Sequence, residues 1–299
     1  MIELERLPAD KGHPAVRRLE PKAPAVPAVF DSPHSGLLAP ADFTPVLSLR
    51  ELFRTADAYV DELFGTAPEH GAVLIAATFP RCYIDANRSL EQLDPTMIDG
   101  PWPGPTVNDA KIRRGVGLIW ARLPSGAAFY DAPLPRADVE RRIERCWRPY
   151  HGALKRALDQ THACFGAVWH VNCHSMRSHG TAQDEDGARQ ARPDMVLGDR
   201  DGTTCDAAFL DLVRGVLAGF GYHVTINRPY KGQELVRRYA DPANHRHSLQ
   251  IEINRALYMD EQSGERTANF APLRAQLSQL VEAICRFAAA EAANLRHRR

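Results

Sequence analysis

The chain of 299 residues lacks a net charge, because 37 lysines and arginines balance 37 aspartates and glutamates. A protein that holds nucleic acid by its phosphates needs a basic surface, so the composition argues against that class. The sequence also lacks any apolar run approaching the roughly 18 residues of a membrane-spanning helix, which excludes a protein of that kind. It contains no glycine-rich phosphate-binding loop, so nothing in it supports nucleotide binding.

The six cysteines form neither a CxxC pair nor a zinc-finger spacing, so a cysteine-ligated metal site is not predicted. Residues 1–20 carry charges throughout and lack the apolar segment of a secretory signal. These absences predict a cytoplasmic protein with reduced cysteines. Cys173 directly precedes His174, but neighbouring residues of a strand point to opposite faces, so a cysteine nucleophile paired with that histidine is disfavoured.

The hydrophobic pattern alternates between short apolar runs and longer stretches with helical periodicity. This alternation predicts an α/β fold with a mixed, largely parallel central sheet. Because no repeat or linker interrupts it, we expect one domain over residues 1–299, with an N-terminal arm (1–25) and a C-terminal helix (268–299). The predicted strands cover residues 25–30, 72–78, 82–86, 166–172, 194–198, 222–227 and 248–254. The predicted helices cover residues 49–67, 136–162 (kinked or split by Pro149), 203–220 and 268–296.

Two histidines stand where predicted strands end, His34 and His174. Ligands gather outside the carboxyl ends of strands in open α/β sheets, so these imidazoles are candidate ligands of one metal ion. Asp57 and Asp61 lie four residues apart on a predicted helix, and either could supply a third ligand. Two histidines and a carboxylate leave one position open for water, as in catalytic zinc sites. The alternative is that the histidines cap turns and the aspartates face solvent.

Polar and apolar residues alternate over residues 249–254, and Glu252 is on the polar side. A carboxylate near the carboxyl end of a strand is a candidate general base. The alternative is that this side of the strand faces solvent.

Arginines cluster after several predicted strands, which suggests an anionic ligand, because arginine binds carboxylates with two parallel hydrogen bonds. A pocket holding two or three of them would suit a dicarboxylate. The alternative is ordinary surface ion pairing. The residues concerned are Asn87, Arg88, Arg177, Arg228, Lys231, Arg237 and Arg238.

Six short motifs, in order and spacing over residues 25–260, resemble the N-formylglutamate amidohydrolase family, which is related to the zinc carboxypeptidases and aspartoacylases. Each motif alone is weak, but together they are specific. They are residues 32–36 (SPHSG), 57–61 (DAYVD), 85–88 (DANR), 174–177 (HSMR), 231–232 (KG) and 247–252 (HSLQIE).

The resemblance implies a three-layer α/β/α fold of the phosphorylase/hydrolase-like, zinc carboxypeptidase-like type. It also implies one Zn²⁺ ion per chain, held by His34 and His174. The carboxypeptidase group carries a glutamate ligand shortly after its first histidine, but this chain has no acid there before Asp42. We therefore expect Asp57 as the third ligand, with Asp61 as the rival.

The implied activity is zinc-dependent hydrolysis of N-formyl-L-glutamate to L-glutamate and formate, which would belong to histidine degradation. The resemblance assigns Glu252 as the general base that activates the water, and Arg88 or His247 as the group stabilising the oxyanion. The alternatives are an amidohydrolase acting on another N-acyl amino acid or a short peptide, and a non-catalytic protein that binds small carboxylates. In either case the expected partner is a small molecule, without nucleic acid or membrane. The residues expected to bind substrate are Asn87, Arg88, Arg177, Lys231 and Arg237.

Overall fold

The computed structural model describes residues 12–181 and 187–297, so residues 1–11 of the predicted N-terminal arm lie outside the described residues. A central sheet contains seven strands, and a small two-stranded sheet lies apart from it. The strands of the central sheet are β1 (Val16–Leu19), β2 (Ala28–Ser32), β3 (Val73–Ala77), β6 (Val168–Met176), β7 (Met195–Gly198), β8 (Val224–Ile226) and β9 (Arg246–Asn254). Strands β4 (Ile98–Asp99) and β5 (Leu134–Pro135) form the small sheet.

The central sheet has the strand order β1-β3-β2-β6-β9-β7-β8. Strands β3, β2, β6 and β9 run parallel to their neighbours within this group, whereas β1 and β7 pair antiparallel with β3 and β9. The predicted mixed, largely parallel sheet is therefore confirmed. Its four parallel strands end at one edge, where the residues that follow them come together.

Helices cover both faces of the sheet, and two apolar clusters fill the space between them. One face packs against Leu63, Phe209 and Leu277, and the other packs against Leu154 and Leu158. The predicted α/β/α layering is thus confirmed. The helices are α1 (Leu49–Phe53), α2 (Val60–Leu63), α3 (Ala110–Arg113), α4 (Arg136–Arg142), α5 (Arg148–Phe165), α6 (Ala207–Gly219), α7 (Glu234–Tyr239) and α8 (Phe270–His297). Among the described residues, no helix has the length and apolar character needed to cross a membrane.

The helix predicted over residues 136–162 is split as expected, but the prediction that the split lies at Pro149 itself was wrong by a few residues. A π-helical segment, Ile143–Trp147, joins α4 to α5, and Pro149 falls in the first turn of α5. Proline is tolerated in a first helical turn, and the wider π turn before it already interrupts the regular hydrogen bonding. Two helices and the π turn between them therefore take the place of one continuous helix, and α5 packs on one face of the sheet.

The prediction of one helix over residues 49–67 was also wrong, because residues 54–59 separate α1 from α2. Tyr59, directly before α2, adopts a left-handed backbone conformation with φ 66°. Asp57 lies in this break, and its N–H donates to the carbonyl oxygen of His34 at 3.0 Å. Asp57 and Asp61 therefore do not share a helix face. The break instead joins the loop that carries Asp57 to the loop that carries His34.

Residues 82–86, predicted as a strand, form part of an irregular segment that follows β3. The loop after β2 packs tightly against this region at Gly36, where an added Cβ would lie 2.3 Å from the carbonyl carbon of Thr78. Only glycine permits such a close approach. Leu38 N–H donates to the carbonyl oxygen of Thr78 at 2.8 Å, which fixes the loop bearing His34 against the end of β3.

Candidate metal centre and active site

The site lies at the edge of the sheet where β2, β6 and β9 end. His34 follows β2 by two residues, His174 is near the end of β6, and Glu252 is its partner on β9. Asp57 approaches from the break between α1 and α2. All four side chains are buried, with exposures between 1% and 8%. The tertiary structure thus brings together groups from distant parts of the chain.

Three donor atoms converge, and they form a group that could hold a metal ion: His34 Nδ1, His174 Nδ1 and Asp57 Oδ2. The two nitrogens are 3.1 Å apart, and Asp57 Oδ2 lies 2.9 Å from His174 Nδ1 and 3.4 Å from His34 Nδ1. Zinc bonds to such atoms are about 2.0–2.2 Å, so tetrahedral ligands lie about 3.3 Å from one another. The spacing of the triad matches that value.

Hydrogen bonds at the far side of each ring place the protons away from the converging atoms. His34 Nε2–H donates to Asp85 Oδ1 at 2.7 Å, and His174 Nε2–H donates to Asn172 Oδ1 at 2.8 Å. With Nε2 protonated, each neutral ring presents a lone pair at Nδ1. Two lone pairs and a carboxylate oxygen facing one another repel unless a cation lies between them. This donor set therefore fits a metal ion, with the outer partners that metal-binding histidines usually have.

The other oxygen of Asp57 is held by arginines, which leaves Oδ2 directed at the two histidines. Arg255 donates to Oδ1 at 2.9 Å and Arg81 donates to it at 3.3 Å. Burial alone would raise the pKa of Asp57, but its contacts with His174 and His34 and the charge of Arg81 outweigh burial and hold the pKa well below its usual range. Asp57 is therefore a carboxylate at neutral pH.

Asp85 and Arg81 hold this arrangement together. Besides accepting from His34, Asp85 accepts from Arg81 Nη2 at 3.1 Å and from the N–H of Asn87 at 2.9 Å. Burial would raise the pKa of Asp85, but His34, which donates to it, and the charge of Arg81 outweigh burial and hold the pKa well below its usual range. A charged Asp85 makes His34 Nε2 the protonated nitrogen.

Glu252 lies beside the triad in a different electrostatic environment. Its partner in the sheet is His174, and adjacent strands lie about 4.8 Å apart. Gln250 Nε2 donates to Glu252 Oε1 at 2.9 Å. Burial raises the pKa of Glu252 to about 7, and the charge of Asp57 contributes, although His174 and two arginines oppose the shift. A carboxylate with such a pKa can accept and return a proton near neutral pH.

A pocket of about 170 Å³ opens onto the triad and Glu252, and its lining is strongly basic. Such a small cavity suits a small molecule, and the excess of cations suits an anionic one. Arg88 is fixed within it by donating to the carbonyl oxygens of Val116 and Asn87, both at 3.0 Å. The basic lining residues are Arg54, Arg81, Arg88, Lys111, Arg114, Arg177, Arg192 and Arg255.

Asn87 and Arg177, which were predicted to bind substrate, also line this pocket. The side chain of Asn87 is engaged within the protein, because its Oδ1 accepts from Leu235 N–H at 2.9 Å and its Nδ2 lies 3.1 Å from His174 Nε2. Asn87 therefore forms part of the pocket wall, with its amide nitrogen held against the ring of His174.

The structure places four other predicted site residues away from the triad. Asp61 Oδ2 accepts from Arg17 at 2.5 Å, Lys231 pairs with Asp201 at 2.7 Å, and Arg237 is half exposed and pairs with Glu234. His247 stacks on Trp169, with ring centroids 5.3 Å apart. It precedes Glu252 by five strand residues, or about 17 Å, and points to the opposite face of β9. None of the four lines the pocket.

Sequence reasoning gave no role to Arg81, Asp85 or Arg255, although all three orient the triad. Asp85 was visible in the motif of residues 85–88 without an assigned partner. Arg255 directly follows β9, where a ligand-facing residue is expected. Nothing in the local sequence around Arg81 distinguishes it from a surface arginine, because its partners Asp57 and Asp85 meet it only in the folded chain.

Comparisons with known proteins find relatives that match most of this chain. The sequence profile of the family described as N-formylglutamate amidohydrolase matches residues 26–259. The N-formylglutamate deformylase of Pseudomonas putida is 32% identical over 87% of this chain and 92% of its own length. The Pseudomonas aeruginosa enzyme of the same name is 30% identical over 87% of this chain and 90% of its own.

The crystal structure of N-formylglutamate amidohydrolase from Ralstonia eutropha is similar to this chain with a TM-score of 0.89 and 44% sequence identity. The match covers 92% of this chain and 98% of that one. The similarity therefore extends over most of the chain.

Proposed function

Because the chain belongs to the N-formylglutamate amidohydrolase family, we propose that it hydrolyses N-formyl-L-glutamate to formate and L-glutamate in a metal-dependent reaction. The observation that carries the proposal is the buried triad of His34, Asp57 and His174 beside Glu252, at the base of a pocket lined with arginines. The two Pseudomonas relatives named N-formylglutamate deformylase support the choice of substrate.

Zinc suits this triad best, because imidazole nitrogens and one carboxylate at tetrahedral spacing are its usual catalytic ligands. His34, Asp57 and His174 would hold the zinc ion, and the chemistry it would supply is a more acidic water and a positive charge that polarises a carbonyl group. Arg81 and Arg255 hold Asp57 in place, and Asp85 holds His34.

Glu252 acts as the general base and then as the general acid. It takes a proton from the water that attacks the formyl carbon, and it passes that proton to the amide nitrogen as the carbon–nitrogen bond breaks. The formic acid released loses its proton to the amine, so the products are formate and glutamate with an ammonium group. Gln250, which donates to Glu252 Oε1, keeps the carboxylate in position for both transfers.

The pocket arginines hold the two carboxylates of the substrate and thereby fix the formyl group against the triad. Arg88 and Arg177 are the residues we assign to this role. Arg88 is suited to it because its guanidinium is already oriented by Val116 and Asn87, so little freedom is lost when substrate binds.

The direct test is formate release from N-formyl-L-glutamate by zinc-loaded protein. We expect turnover that stops when a chelator removes the metal and returns when zinc is added back. N-acetyl-L-glutamate and N-formyl-L-leucine serve as matched substrates, the first altered in the acyl group and the second lacking the side-chain carboxylate. Protein that holds one zinc ion per chain but releases no formate would contradict the proposed substrate.

The pH dependence follows from Glu252. Its protonated form cannot accept a proton, so kcat/KM should fall about tenfold per pH unit below the pKa of this carboxyl. Burial raises that pKa from 4.5 to about 7. A bound cation nearby favours the charged form, so we expect the inflection between these two values. The measurement is kcat/KM from about pH 4.5 to about pH 9 with the metal content checked at each pH. A flat acidic limb in folded, metal-loaded protein would exclude Glu252 as the base.

A further inference from the structure

A row of buried polar side chains lies behind the triad, on the face of the sheet that α5 covers. None of these side chains takes part in the reaction proposed above, and each is at most 1% exposed. Burying polar groups is costly unless they are hydrogen-bonded, so a connected group of this kind calls for a physical reason. The row consists of Asp31 on β2, His170 and Asn172 on β6, and Ser248 on β9.

Asp31 is the centre of the row. Its Oδ1 accepts from His170 Nε2 and from Asn172 Nδ2, both at 2.8 Å, and its Oδ2 accepts from the hydroxyl of Tyr150 at 2.5 Å. Burial alone would raise the pKa of Asp31, but the hydrogen bond and charge of His170 and the bond from Tyr150 outweigh it and lower the pKa. Asp31 is therefore a negatively charged acceptor inside the sheet.

The charge of Asp31 fixes the orientation of the amide of Asn172. With Nδ2 bonded to the carboxylate, Oδ1 points the other way and lies 2.8 Å from His174 Nε2. The reverse orientation would set Oδ1 against Asp31, where two acceptors repel. Asn172 thus presents an acceptor to His174, and the ring keeps its proton on Nε2.

A second amide competes for the same ring nitrogen. Asn87 Nδ2 lies 3.1 Å from His174 Nε2, and it cannot turn away because Asn87 Oδ1 accepts from Leu235 N–H at 2.9 Å. A donor at this position favours the opposite tautomer, with the proton on Nδ1. In that tautomer the ring would donate to Asp57 and could not act as a ligand. The acceptor that Asn172 supplies at 2.8 Å opposes this and shifts the ring toward the tautomer with the proton on Nε2.

We propose that Asp31 is a positioning residue that acts through Asn172 to hold His174 in the tautomer able to ligate a metal ion. The inference rests on the metal site of the proposed function and adds residues that lie outside that site. It explains why a charged carboxylate is buried in the sheet: the charge determines the orientation of one amide, and the amide determines the tautomer of one ligand.

The test is the affinity for Zn²⁺, measured by competition with a chromophoric chelator in wild-type protein and in the variants Asn172→Leu and Asp31→Asn. We expect each variant to bind Zn²⁺ about 10–100-fold more weakly, the usual effect of removing a partner of a metal-binding histidine. In metal-free protein, ¹⁵N NMR of the labelled His174 ring should show a larger fraction of the tautomer protonated on Nδ1 in each variant than in wild-type protein.

Two further variants separate this role from general damage to the core. Ser248→Ala removes only the bond at the far side of His170, where the two side chains are 2.7 Å apart, and should leave the Zn²⁺ affinity unchanged. Asn87→Asp replaces the competing donor with an acceptor. It should therefore raise the affinity by a larger factor in the Asn172→Leu background than in wild-type protein.

The outcomes distinguish this inference from the proposed function. Wild-type protein that binds no Zn²⁺ would overturn the metal site itself. Wild-type protein that binds Zn²⁺, together with folded variants that bind it equally well with the proton still on Nε2, would overturn only the role of Asp31 and Asn172. If Asn172→Leu or Asp31→Asn fails to fold, the smaller change Asn172→Ser takes its place, with the same shift of tautomer expected and the same result overturning the inference.

Discussion

Replacing Glu252 with glutamine should lower kcat for formate release by about 10²–10⁴-fold, the range that a positioned general base contributes. Glutamine has the same shape and can still form a hydrogen bond with Gln250, which donates to Glu252 Oε1 at 2.9 Å in the native protein. It cannot take a proton from water. Because Glu252 does not belong to the triad of His34, Asp57 and His174, its replacement should leave the bound zinc in place. The measurements are kcat and the metal content per chain.

Glu62→Gln is the matched control for this variant. Glu62 pairs with Arg266 on the surface at 2.5 Å, and its loss should leave kcat within about twofold of the native value. A Glu252→Gln enzyme that turns over at the native rate would remove Glu252 from the role of base. Loss of zinc along with activity would instead point to a structural role at the metal site.

Removing either histidine of the triad should abolish both metal binding and turnover. The variants are His34→Ala and His174→Ala, each of which leaves two of the three donor atoms. Removing a residue that only hydrogen-bonds to a metal ligand weakens metal affinity by about 10–100-fold. Removing a ligand itself should therefore weaken zinc affinity by well over about 100-fold. Zinc affinity by chelator competition, measured before any assay of activity, is the informative quantity.

His247→Gln provides the matched comparison. This histidine is also buried in a strand of the same sheet, but it stacks on Trp169 and lies away from the pocket. We expect native zinc content and nearly native kcat for it. Full zinc occupancy in His34→Ala or His174→Ala would exclude that residue as a ligand, and loss of activity in His247→Gln would restore the sequence-based expectation that His247 stabilises the oxyanion.

Much of the architecture was predictable because its signals are local. Short apolar runs bounded by turn residues indicated the central strands β2, β3, β6 and β9, and all four are present, although β2 begins three residues later and β6 ends four residues later than expected. The alternation over residues 249–254 placed Glu252 on the polar side of β9, opposite the apolar side that packs into the core. The spacing of apolar residues along a segment indicates which of its faces is buried, and this spacing can be read from neighbouring residues alone.

Two errors in the secondary structure have a common cause. Residues 49–67 have helical periodicity, yet residues 54–59 leave the helix so that Asp57 can meet the loop of His34. Residues 82–86 are apolar, yet they form an irregular segment whose Asp85 bonds to His34. In both places long-range contacts with the site override the local pattern, as is common where function constrains the backbone.

The sequence by itself determined the class of fold, the histidines at the ends of two strands, the carboxylate beside them and the family. Only the tertiary structure decided that Asp57 and not Asp61 joins the histidines, and which arginines surround the pocket. It also decided that Asp31 faces Asn172 and, through it, His174. The physical reason is that hydrogen bonds and ligand geometry form between residues far apart in the chain. They require the distances between the atoms concerned to be correct to within a few tenths of an ångström. The distances between hydrogen-bonding atoms and between ligand atoms follow from strand register and loop packing, which local composition does not encode.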